Sequence, residues 1–166
     1  PIGIGGMAAI LGSTPEQIEK IINENQNNYE CYIANDNSNG QQVVSGRLAD
    51  IDLLMSDLKK NNIKSIKLSV SAPFHCKLMN NATKIMQNEI QKSDFKNPIN
   101  TLISNVTNEE VKDSSLLKEL LVKQIESRVR WRENVNLMIK KGTKKFIEIG
   151  PGKVLSGLIK RIDKNV

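Results

Sequence analysis

The chain has 166 residues, enough for one large domain or two small ones with a buried core. Its formal net charge of +6 would suit an acidic protein, a phosphate-bearing ligand or nucleic acid. The basic residues are scattered and aromatic residues make up only 4% of the chain, so the arginine clusters and stacking platforms typical of nucleic-acid binding are missing. We therefore expect no nucleic-acid partner.

The two cysteines, Cys31 and Cys76, form neither a metal-ligand spacing nor a disulfide framework. No apolar run approaches the length of a membrane span or a secretory signal. We therefore expect a cytoplasmic protein that has no membrane partner and needs no metal or redox cofactor. The chain starts without Met and at the edge of an apolar strand, which is typical of a piece cut from a longer protein.

Apolar periodicity predicts a βαββαβ order for the first 70 residues, with strands over 6–11, 29–35, 41–45 and 63–70 and helices over 13–25 and 48–60. Turn-forming residues at 36–40 predict a hairpin between the second and third strands. This order is typical of a ferredoxin-like unit, a four-stranded antiparallel sheet with two helices on one face. The helix residues expected to face the sheet are Ile18, Ile22, Ile51, Leu54 and Leu58.

The rest of the chain alternates helices and strands, with helices over 78–91, 115–127, 133–141 and 153–162 and strands over 101–106 and 145–149. The turn Gly150-Pro151-Gly152 before the last helix resembles a phosphate-binding turn, but this pattern alone is common and weak. Two strands make a poor sheet, so we expect this half to be part of a larger one. We therefore divide the chain into a ferredoxin-like unit, residues 1–72, and a second unit, residues 73–166.

Three stretches together resemble one family, malonyl-CoA:acyl carrier protein transacylase. They are ANDNSNGQ at 34–41, PFHCKLM at 73–79 and EIGPGKVLSGL at 148–158, and their order and spacing make the resemblance specific. The resemblance covers nearly the whole chain and implies a mixed α/β fold. In that fold, residues 73–166 would be the C-terminal portion of an α/β-hydrolase-like acyltransferase subdomain, with the ferredoxin-like subdomain inserted into it.

The resemblance implies malonyl transfer from coenzyme A to the phosphopantetheine thiol of acyl carrier protein, in bacterial fatty acid biosynthesis. The family uses a serine nucleophile in a G-x-S-x-G elbow and an arginine that pairs with the malonyl carboxylate. No serine of this sequence has glycine two residues before it and two after it. We therefore expect the chain alone to be inactive. Its expected partners are malonyl-CoA, acyl carrier protein and a separate N-terminal chain that carries the serine.

The alternative from a different functional class is a non-catalytic remnant or a carrier-protein-binding module that has lost the serine nucleophile. The basic charge fits this alternative as well, because carrier proteins are typically acidic. An N-terminal chain or adjacent reading frame containing the elbow would separate the two hypotheses.

His75, the only histidine of the chain, is the candidate catalytic base. An imidazole can take a proton from a serine and return it to a leaving thiol near neutral pH, and the resemblance implies that role for His75. A loop histidine is the alternative, but a position beside Pro73 at the end of a strand favours a cleft. The resemblance implies that the backbone carbonyl of Gln124 orients the other ring nitrogen; the alternative is that Gln124 is a plain helix-surface residue.

Four further residues are candidates for substrate binding. Phe74 and His75 form an F-H pair that in such acyltransferases accompanies malonyl rather than methylmalonyl substrates, and a core phenylalanine is the alternative. Asn35, Asn37 and Gln41 match an N-x-N-x-x-x-Q pattern that the resemblance places at the mouth of the active site. There, their amides would bond the pantetheine arm or the carrier protein. Ordinary turn chemistry explains these three residues equally well.

Overall fold

The computed structural model describes residues 3–166. The first six elements are β1 (Gly5–Leu11), α1 (Pro15–Glu24), β2 (Cys31–Ser38), β3 (Gln41–Arg47), α2 (Leu48–Lys60) and β4 (Lys64–Lys67), so the predicted βαββαβ order is confirmed. The strands form one sheet in the order β2-β3-β1-β4, and every neighbouring pair is antiparallel. The expected four-stranded antiparallel sheet is therefore present.

Both helices of this unit pack on the same face of the sheet. Ile18 of α1 and Ile51, Leu54 and Leu58 of α2 are fully buried in one hydrophobic cluster with residues of β1, β2 and β3. Ile22 is partly buried against the same cluster. Spacings of three and four residues place these side chains on one stripe of each helix, which is why periodicity alone identifies them.

The hairpin between β2 and β3 is tighter than the sequence predicts. β2 continues through Asp36, Asn37 and Ser38, so only Asn39 and Gly40 join the two strands. Asp36 favours turns, but its carboxylate is buried against an arginine of the second half of the chain. Tertiary pairing therefore overrides the local preference here.

The second half contains α3 (Asn80–Lys92), β5 (Leu102–Ile103), β6 (Glu110–Val111), α4 (Ser114–Gln124), α5 (Trp131–Lys140) and α6 (Val154–Ile162), with a short 3-10 turn at Lys77–Met79 before α3. The four predicted helices are confirmed. β5 is shorter than predicted and pairs with β6, which the sequence analysis missed, in an antiparallel hairpin. No helix within residues 3–166 is long and apolar enough to cross a membrane.

The predicted strand over 145–149 is wrong. These residues form no strand, and within the described part of the chain no other strand pairs with them. The side chains of Ile147 and Ile149 are 73% and 93% exposed. A short apolar run forms a strand only when a neighbour takes up its backbone hydrogen bonds, and apolar character alone does not supply that neighbour.

Residues 128–130 connect the second half to the edge of the sheet. The N–H of Val129 donates to the carbonyl of Ala34 at 2.8 Å, and the N–H of Asp36 donates to the carbonyl of Val129 at 2.9 Å. Asn35 and Val129 thereby form a parallel bridge beside β2, and α5 and α6 also pack against β2. The contacts between the two halves therefore concentrate on β2.

Candidate active site

His75 lies in the connection between β4 and the 3-10 turn, in the left-handed region with a φ of 60°. Its neighbours Pro73 and Cys76 are buried, and the Cys76 thiol donates a hydrogen bond to the Pro73 carbonyl at 3.2 Å. A Cβ at Gly5 would lie 2.2 Å from Cγ of Pro73, so β1 can start beneath this turn only with glycine there. The backbone on both sides of the imidazole is therefore fixed.

The side chain of His75 is held by the backbone of Gln124. Nδ1 lies 2.9 Å from the Gln124 carbonyl oxygen, at the C-terminal end of α4. The last carbonyls of a helix lack intrahelical partners, so this one can accept from a side chain distant in sequence. A carbonyl can only accept, so this contact is a hydrogen bond only in the tautomer with the hydrogen on Nδ1, and in that tautomer Nε2 is the atom that can take up a proton. The structure thus brings these two candidate residues together.

A cleft of about 330 Å³ opens beside the imidazole between α1 and β2, where His75, Tyr32, Glu126 and Arg128 are among its lining residues. Phe74 is 41% exposed, so it is not a core phenylalanine within this chain. A larger cavity of about 610 Å³ lies between α5 and the β5–β6 hairpin and does not include His75. Size alone would therefore direct attention away from the imidazole.

The three candidate amides lie along β2 and at the start of β3. Asn35 is half-buried at the bridge to Val129, and Asn37 is half-buried two residues further on. Gln41 accepts a hydrogen bond from the guanidinium of Arg161 in α6. In the described chain, the residues that line the cleft at His75 include none of these three amides.

A buried carboxylate on β2 was not predicted from the sequence. Asp36 is 0% exposed, and Nε of Arg132 donates to its two oxygens at 2.9 and 3.0 Å. Arg128 lies 3.6 Å from the same carboxylate, and the amide of Gln42 donates to it at 3.3 Å. The hydrogen bonds to Asp36 raise the pKa of Arg132. The alternating arginines at 128, 130 and 132 were the available signal, because a buried acid requires a cationic partner.

The turn before α6 is occupied by a side chain of the protein itself. The Glu148 carboxylate accepts hydrogen bonds from the N–H groups of Leu155 and Ser156 at 3.1 and 2.9 Å, and from the Ser156 hydroxyl at 2.7 Å. These bonds lower the pKa of Glu148, the hydroxyl making the largest contribution. The two N–H groups that would attract a phosphate therefore already bind a carboxylate. Within residues 3–166, no group of three His, Cys, Asp or Glu side chains is placed to bind a metal ion.

Comparison with known proteins gives whole-chain matches to one kind of enzyme. The malonyl CoA-acyl carrier protein transacylase of Bacillus subtilis is 38% identical over 168 residues, which cover 100% of this chain and 53% of that protein. The solved transacylase of Clostridium perfringens has a TM-score of 0.96 and 40% identity, covering 100% of this chain and 52% of the other. No protein-family model matches the chain.

A third match is a complex. It is a type II PKS acyl-carrier protein bound to its malonyl-transacylase, PlMCAT with AntF. The TM-score is 0.93 and the identity 31%, covering 99% of this chain and 54% of that one. In each of these matches the chain spans about half the length of the relative.

The fold is therefore that of the C-terminal part of an acyltransferase. More particularly, the whole chain is homologous to malonyl CoA-acyl carrier protein transacylases, and it corresponds to about half the length of each of them. The resemblance predicted from the three sequence stretches is thereby confirmed.

Proposed function

We propose that this chain is part of a malonyl CoA-acyl carrier protein transacylase. Its substrates would be malonyl-CoA and the phosphopantetheine thiol of an acyl carrier protein, in the cytoplasm. The proposal rests on the match of the whole chain to malonyl CoA-acyl carrier protein transacylases. The complex of a related transacylase with an acyl carrier protein and the net charge of +6 both support an acidic carrier protein as partner.

In this proposal His75 is the general base. Its Nε2 takes the proton of a serine hydroxyl as the serine attacks the malonyl thioester carbonyl, and returns that proton to the departing coenzyme A thiolate. The carrier-protein thiol then takes the malonyl group from the serine by the same steps in reverse. Gln124 fixes the tautomer through its carbonyl, 2.9 Å from Nδ1. The reaction so written needs no metal and no redox cofactor.

The serine and the arginine that binds the malonyl carboxylate would come from the other half of the enzyme, in the same chain or in a separate one. Phe74, exposed beside His75, would limit the space next to the α-carbon of the acyl group and so favour malonyl over branched substrates. Asn35, Asn37 and Gln41 would contact the pantetheine arm or the carrier protein. All three residues are half-buried, along β2 and at the start of β3.

The test joins this chain to the N-terminal half of the Bacillus subtilis relative. Malonyl transfer from malonyl-CoA to a phosphopantetheinylated carrier protein is then measured with purified protein. The joined protein should be active, and His75→Ala should lower kcat by about 10² to 10⁴-fold, as expected for loss of a general base. Lys20→Ala, an exposed change on α1, is the control and should leave the rate unchanged.

Two results would contradict the proposal. A joined protein that folds and binds malonyl-CoA but transfers nothing would favour a binding module without chemistry. A joined protein that runs equally well with alanine at position 75 would show that the imidazole is structural.

A further inference from the structure

The carbonyl that orients His75 belongs to the last residue of α4, and the segment that follows it is held from outside the helix. After Gln124 the chain leaves the helix through a turn, in which the Gln124 side-chain amide donates to the carbonyl of Ser127 at 3.0 Å. The next residue, Arg128, begins the stretch 128–130 that lies along β2. The position of the Gln124 carbonyl therefore depends on how firmly this stretch is fixed.

Asp36 fixes the stretch through both its backbone and its side chain. Its N–H donates to the carbonyl of Val129 at 2.9 Å, while its carboxylate accepts from Arg132 at 2.8 to 3.0 Å. Arg128 lies 3.6 Å from the same carboxylate but donates its hydrogen bonds to Glu19 and Glu133, at 2.9 and 3.1 Å. Paired hydrogen bonds from one guanidinium restrict direction as well as distance. Since the carboxylate is fully buried, water cannot replace the arginines if the stretch moves.

Irregularities in β2 direct the Asp36 carboxylate toward the second half of the chain. Register shifts in the β2–β3 pairing flank Asp36, one between Ile33 and Asn35 and one between Asp36 and Ser38. Such bulges redirect a side chain that a regular strand would leave in the alternating pattern. The Gln42 amide then supports the carboxylate from β3 at 3.3 Å.

We propose that Asp36 is a positioning residue for His75. Through Arg132, at the start of α5, its carboxylate holds the far end of the stretch that joins α4 to α5, and so holds the Gln124 carbonyl against Nδ1 of the imidazole. The catalytic meaning of this role rests on the proposed function of His75 as the base. The positioning itself can be measured without any transfer reaction.

The test reads the tautomer of His75 by NMR in the full 166-residue chain. Because the chain has one histidine, all ring nitrogen and carbon signals come from this imidazole. Spectra are recorded at about pH 8.5. The wild-type ring should be mainly the Nδ1–H tautomer. Asp36→Asn, which keeps the shape but removes the charge, should lower the Nδ1–H share and shift the ring signals toward those of free imidazole.

A second variant and a control keep the test decisive. Arg132→Lys keeps the positive charge but cannot make paired hydrogen bonds, so it should change the tautomer in the same direction and by less. Asp52→Asn removes a carboxylate from the exposed pair with Lys67 at 2.6 Å and should leave the tautomer unchanged. Backbone amide signals of β1 and β3 report whether each variant is folded. If Asp36→Asn does not fold, the His75 tautomer measured in Arg132→Lys tests the proposal.

Folded variants at positions 36 and 132 that keep the wild-type tautomer would overturn the proposal and leave Asp36 with a purely structural role. A wild-type ring without Nδ1–H preference would also overturn it. Neither result depends on transfer activity, so failure here is distinct from failure of the His75→Ala experiment.

Discussion

Both the backbone conformation of His75 and the hydrogen bond of its ring determine where the imidazole lies. A non-glycine residue at a φ of 60° costs on the order of 1 kcal/mol. The buried neighbours Pro73 and Cys76 and the hydrogen bond to the Gln124 carbonyl offset this cost. Together they present Nε2 from a fixed direction, as a general base requires.

The side chain of the preceding residue, Phe74, is exposed, which makes it suitable for a test of acyl preference in the joined protein. Phe74→Ser should raise kcat/KM for methylmalonyl-CoA relative to malonyl-CoA, because removing the ring makes room for one methyl group. One methyl group is worth about 1–3 kcal/mol in an apolar pocket, so the ratio should change by about 10- to 200-fold at most.

The matched control is Phe95→Ser, at a phenylalanine that lies beneath the ammonium of Lys118 rather than next to His75. It should leave the ratio of the two kcat/KM values unchanged. If Phe74→Ser also leaves that ratio unchanged, Phe74 does not shape the acyl site.

Among the elements, the two helices on the four-stranded sheet were predictable because each buries its own stripe of residues, as α2 does with Ile51, Leu54 and Leu58. The strands were less predictable, because a strand needs a partner that its own sequence does not specify. The run 145–149 has the apolar character of a strand but no partner in the described chain, whereas Asp36 looks like a turn residue and lies in β2. Likewise, the Asp36–Arg132 pair joins positions far apart in the sequence, beyond the reach of local patterns.

Glu148 gives a prediction about the pH dependence of α6. Hydrogen bonds from Ser156 and Leu155 hold the pKa of this carboxyl below its ordinary value of about 4.5. A carboxyl with a lowered folded-state pKa stabilises the fold above the unfolded-state pKa, and this stabilisation is lost as the pH falls through the folded-state value. Denaturant unfolding from pH 7 down to about pH 3 should therefore show Glu148→Gln less stable than wild type at neutral pH, with the difference shrinking in acid.

Ser156→Ala provides the graded comparison, because it removes the hydroxyl donor and leaves the two backbone donors in place. Its stability should lie between those of wild type and Glu148→Gln at neutral pH. A difference between wild type and Glu148→Gln that stays constant across the pH range would mean that the carboxylate does not cap α6.

For the whole molecule, the distribution of apolar surface is uneven. The βαββαβ unit buries its apolar helix faces in one cluster, while the second half leaves several large side chains open. Ile99, Ile147 and Ile149 are 100%, 73% and 93% exposed, and Val154 is exposed as well. Exposed apolar groups of this kind are typical of surfaces that contact another protein segment. In the proposed enzyme, that segment would be the half that carries the serine.

The chain on its own should therefore self-associate, and the surface around Ile147 and Ile149 should be responsible. Sedimentation velocity should show an average mass that rises with concentration, and the double change Ile147→Lys and Ile149→Lys should reduce that rise. Ile66→Lys is the control, since it adds one lysine at an exposed isoleucine of β4 in the first unit. Adding the N-terminal half of the Bacillus subtilis relative should suppress self-association of the wild-type chain by covering the same surface. A wild-type chain that stays monomeric at all concentrations, or a control that acts as strongly as the double change, would mean that these isoleucines do not form a contact surface.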